Sequence, residues 1–142
     1  MEKYSASLLD IAVKAHQNGN FAHADALYKE VLELEPNNPD ANYNLGVLRF
    51  TQNDIPASCS FFERAISLEP KTEHFWITYV EALVNNGDFE KASEVFIRAK
   101  LEQIEESAIA EMSTMLKQAP QTLLPSSEDL DPLRSAIQEK DF

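Results

Sequence analysis

Apolar and small residues recur along the chain at spacings of three and four, in blocks separated by short polar joints. Ala24, Tyr28 and Val31 form one block, Ser58, Phe62 and Ala65 another, and Ala92, Phe96 and Ala99 a third. Between them lie Leu8, Ile11 and Ala12, then Asn42, Leu45 and Gly46, then Trp76, Tyr79 and Val80. This period belongs to helices with one buried face. It predicts helices near 3–18, 21–34, 39–53, 55–68, 73–86 and 89–102. A seventh, near 105–118, places Ile109, Met112 and Leu116 on one face.

The joints repeat as well. Gly19-Asn20-Phe21, Asn53-Asp54-Ile55 and Gly87-Asp88-Phe89 each put a residue tolerant of positive φ before a polar cap and an apolar residue. One helix stops there and the next begins. Leu34-Glu35-Pro36 and Leu68-Glu69-Pro70 end the second helix of a pair, because proline drives the preceding residue out of the α region. All of these marks recur at 34 residues. A fixed period of this size is the signature of stacked helical hairpins. The small residues at 24, 58 and 92 let two helix backbones approach, and the aromatics at 28, 62 and 96 fill the wedge between neighbouring pairs. The third copy has Gln103-Ile104 where the others have proline, so its second helix is expected to run on.

Taken together, Leu45-Gly46, Ala24/Ser58/Ala92, Tyr28/Phe62/Phe96, Trp76 and Pro36/Pro70 resemble the tetratricopeptide repeat. The likeness covers about residues 5–104. It implies an all-α fold, a right-handed superhelix of three helix-turn-helix units near 5–38, 39–72 and 73–104. The helix near 105–118 would cap the last unit, since an open solenoid end exposes core. Residues 119–142, with prolines at 120, 125 and 132, read as a linker and tail that ends in a short helix. The stretch from Phe75 to Lys100 is similar to the repeat that precedes the catalytic part of bacterial glycosyl-, methyl- and sulfotransferases; the chain has no such catalytic part.

Charge narrows the partners. Acids outnumber bases 24 to 12, a formal net charge of −12 in 142 residues. Such a chain repels phosphate backbones and anionic membrane surfaces, so neither nucleic acid nor membrane is expected. A single cysteine, Cys59, allows no internal disulfide, and no stretch is apolar enough for a membrane span, which points to the cytoplasm. Cys59 reads as a small buried hydrophobe. His16, His23 and Asp25 are too loosely spaced for a metal set, and no phosphate loop or nucleophile motif is present. No cofactor and no enzymatic activity are expected.

Binding is the remaining function class. In the resembled family the first helix of each unit lines a concave groove. At its inward positions stand Leu9, Val13 and His16, then Tyr43, Asn44, Val47 and Phe50, then Ile77, Glu81 and Val84. Most are apolar, and an exposed apolar strip marks a partner surface. The expected partner is a protein or peptide, with a homodimer through the same strip as the alternative. Two family variants are excluded at these positions. Leu9, Val13 and Thr78 stand where a clamp for C-terminal carboxylates needs cations and asparagine, and Asp10 and Thr78 interrupt an asparagine ladder. The reading is thus a non-enzymatic interaction scaffold, expected to serve beside a bacterial transferase. The alternatives are a small acidic secretion chaperone, or a self-associating protein whose own tail fills the groove.

Overall fold

The computed structural model describes residues 2–118. They form seven helices: α1 (Glu2–Gln17), α2 (Phe21–Leu34), α3 (Pro39–Thr51), α4 (Ile55–Leu68), α5 (Glu73–Asn85), α6 (Phe89–Leu101) and α7 (Glu106–Lys117). There is no strand among the described residues. Each helix lies where the apolar period places it, within two residues at either end. The linker and tail expected at 119–142 lie outside the described residues.

The turn inside each pair is closed by one device. Gly19, Asn53 and Gly87 adopt φ of 80°, 63° and 80°. The amide after each donates five residues back: Asn20 to Ala15, Asp54 to Arg49 and Asp88 to Leu83, at 2.8–2.9 Å. This satisfies carbonyls that the helix end leaves unpaired. Gln103, at φ 62°, repeats the device at the end of α6, where the Ile104 amide donates to Ala99. The expected run-on of that helix is therefore corrected: without proline the chain still stops, through a left-handed residue, and restarts at Glu106.

Asn42 and Trp76 look mismatched at equivalent positions, yet they do the same work. The Asn42 amide donates to the Pro36 carbonyl at 3.3 Å, and the Trp76 indole donates to the Pro70 carbonyl at 2.8 Å. Both side chains are buried, at 2% exposure. Each pins the first helix of a unit to the proline that closes the unit before it.

The core divides into two clusters. One gathers Leu8, Ala12, Tyr28, Val31, Leu45 and Leu48 from α1–α3; the other runs from Phe62 through Trp76 and Tyr79 to Met112 of α7. α7 packs on both α5 and α6, as a cap must. At the other end no helix among the described residues covers α1. There Ile11 is 49% exposed, while its counterparts Leu45 and Tyr79 are at 1% and 2%. That face also carries Ser7 and Lys14 where α3 has Ala41 and Leu48, which suits contact with water.

Two further positions depart from expectation. Phe96 is only half-buried, with the Lys100 amine 5.5 Å from its ring centre; Val95 takes the fully buried place instead. α7 begins one residue earlier than the 34-residue period requires, so the helix that should cover Phe96 meets its neighbours in a shifted register. Cys59 is half-buried rather than a core residue, on the rim of a cleft with Tyr79, Lys91 and Arg98. Burial is the main cause that pushes its thiol pKa up.

Candidate functional site

The first helices of successive units touch one another, α1 on α3, α3 on α5 and α5 on α7. The second helices α2, α4 and α6 make no comparable contact with each other. Helices that converge on one side and splay on the other bend the stack, so α1, α3, α5 and α7 line its inner face. Close approach is built into each pair by a small residue. A Cβ added to Gly46 would come within 2.7 Å of the buried Phe62 ring.

The ten candidate residues all lie on α1, α3 and α5. Nine are partly buried and Glu81 is exposed. Leu9 and Val13 pack partly on the first core cluster; Tyr43, Val47, Phe50, Ile77 and Val84 pack partly on the second. Each therefore shows one side to the core and the other to solvent. This half-buried state is what a preformed apolar groove requires.

Tyr43 is held on three sides. Its ring stacks on Phe75 at 4.7 Å between centres and meets the His74 ring edge-on at 5.0 Å. Its hydroxyl lies 2.8 Å from the Thr78 hydroxyl. It clamps α3 to α5, and burial raises its pKa above the usual tyrosine value. His16 is turned onto α2. Its Nδ1 lies 3.0 Å from the Tyr28 hydroxyl, and its ring meets Phe21 edge-on at 5.7 Å. Burial lowers its pKa, and burial pushes that of Tyr28 up to about 12. The sequence pattern gave no sign of either contact, because each joins residues on different helices.

α7 adds lining that the unit period alone did not assign. Glu111, Met115 and Gln118 face Glu81, Val84 and Asn85 across a cleft of about 260 Å³. Ion pairs lie elsewhere. Asp25 of α2 holds Arg49 of α3 at 2.6 Å, and Glu63 of α4 takes a two-pronged contact from Arg98 of α6 at 2.6 and 2.9 Å. Among the described residues no group of three His, Cys, Asp or Glu could hold a metal ion, and no helix is long and apolar enough to cross a membrane.

Residues 15–53 match a family model described as TPR repeat, and residues 39–72 match one described as tetratricopeptide repeat. Residues 15–72 thus carry tetratricopeptide repeats. Solved structures of the same fold extend the likeness across all three units. SycD, the type III secretion translocator chaperone of Yersinia enterocolitica, is 16% identical with a TM-score of 0.72, covering 82% of this chain and 83% of that one. The tetratricopeptide domain of Sgt2 from Aspergillus fumigatus is 18% identical with a TM-score of 0.69, covering 81% and 78%. The first such domain of Spaghetti (RPAP3), solved with the HSP90 peptide SRMEEVD, is 18% identical with a TM-score of 0.66, covering 80% and 93%. SycD has also been solved with a peptide of the translocator YopD. No curated protein gives a significant match to the chain.

Proposed function

We propose that this chain is a non-catalytic interaction module that takes a peptide or helix of a partner protein along the inner face of α1, α3 and α5. One observation carries the reading. A line of apolar side chains from Leu9 to Val84 is half-exposed on that face, with no helix of the described residues laid across it. Similarly folded proteins solved with peptides, SycD with YopD and Spaghetti with an HSP90 peptide, support it. Phe50 and Val47 are the anchors of choice, because Tyr43 already spends its ring on Phe75 and His74. A place beside a bacterial transferase is a narrower form of the same reading and rests on the stretch from Phe75 to Lys100.

The test is a pair of variants, Phe50→Glu and Val13→Glu, each checked for helical content by circular dichroism. A charge in the path of an apolar partner should abolish capture of peptides selected on the native chain, as buried unpaired charges do. Folded variants that retain native affinity would overturn the groove.

A further inference from the structure

Two carboxylates edge the cleft between α5 and α7. Glu81 is exposed on α5 and Glu111 on α7, on either side of the cleft whose apolar parts are Val84 and Met115. Neither carboxylate is paired with a cation among the described residues. Six basic residues are engaged away from this cleft, Lys29 by Asp25 and Lys91 by Glu94 among them. Arg49 is held by Asp25, Arg98 by Glu63, Arg64 by Asn37, and Lys71 by the Glu102 carbonyl. Asp40, near His74 at the start of the same face, adds a third acid on α3. An apolar floor edged by carboxylates, in a chain of net charge −12, selects its occupant by sign.

We infer that the occupant of the groove is an apolar segment carrying lysine or arginine, whose basic side chain lies between Glu81 and Glu111 with its methylene stem on Val84 and Met115. The inference rests on the groove reading above and adds the chemical class of the partner. Long cationic side chains suit such a place, because the stem buries apolar area while the head keeps its charge partners. The same geometry rejects acidic tails. The peptide SRMEEVD seen on the Spaghetti domain would bring its carboxylates against those of the groove.

A phage-displayed library of random peptides, selected on the full chain, tests this without knowledge of the natural partner. The enriched peptides should combine apolar residues with lysine or arginine and should weaken as salt is raised. Their Kd should rise about tenfold on the double variant Glu81→Gln/Glu111→Gln, and acidic versions of the same peptides should not bind. Enrichment of neutral or acidic peptides, or unchanged affinity in the double variant, would overturn the inference. If Phe50→Glu still abolishes those peptides, the groove itself stands. Peptides indifferent to Phe50→Glu, or no enrichment at all, would remove the groove and this inference with it.

Discussion

At the scale of single residues, one glycine shows how closely the units are fitted. Gly46 sits mid-helix, where glycine costs about 1 kcal/mol against alanine. Its Cβ would nevertheless lie 2.7 Å and 2.8 Å from Phe62 ring carbons and 3.1 Å from the Phe61 Cβ. Phe62 is fully buried and cannot swing away. Overpacking should therefore outweigh the propensity gain. Gly46→Ala is expected to destabilise by about 1–3 kcal/mol, read as a lower urea midpoint at unchanged slope. A small residue at this place was legible from the alignment with Ala12, but Val80 occupies it in the third copy. Which copy demands glycine depends on the facing ring. Asn42 and Trp76 teach the converse. They differ in every property a pattern measures, and share only a donor that reaches a proline carbonyl.

Elements were the most legible level, because each is specified by local marks. Apolar spacing sets the face, and caps set the ends. The caps are unequal in a way the letters do not reveal. The side chains of Asp54 and Asp88 each accept from the amide three residues on, at 3.3 Å, and Asn38 accepts from Ala41 at 2.9 Å. Asn20, at the same period, makes no side-chain cap. Asp54→Ala and Asp88→Ala should each cost about 1 kcal/mol, and Asn20→Ala clearly less, in thermal or urea unfolding. Equal losses at all three would show that the side-chain cap bond does not set the difference. The period places α1, α3 and α5 in the chain. It does not place the ring of His16, since the direction of a half-buried ring is decided by Tyr28 and Phe21 on the next helix.

The whole molecule is held against acid by contacts between elements. Burial raises the Asp25 pKa, but Lys29 and Arg49 together outweigh it, and the net shift is downward. Arg98 lowers the pKa of Glu63. A carboxylate depressed in the folded state stabilises above its unfolded pKa, about 4, and loses that contribution as pH falls through the lower folded value. His16 is also depressed, by burial, so its neutral form is favoured by folding. That contribution is complete above the unfolded histidine value of about 6.5 and fades as pH drops below it. Stability should thus fall in two windows, the first below about pH 6.5 and the second below about pH 4. His16→Gln should flatten the first and leave the second, in melts recorded across pH. A first window that persists unchanged in His16→Gln would assign it to another group.

The sequence by itself determined the helices, their pairing and the 34-residue stack, because spacing, caps and prolines act within a turn or two of the chain. It also determined which positions of α1, α3 and α5 are apolar, since those are read directly from the residues. Only the tertiary structure decided which of those side chains are already engaged, that α7 brings Glu111 and Met115 opposite Glu81 and Val84, and that Ile11 faces outward where Leu45 does not. These depend on what a neighbouring element places opposite each residue, and a period cannot encode the last neighbour at either end of the stack.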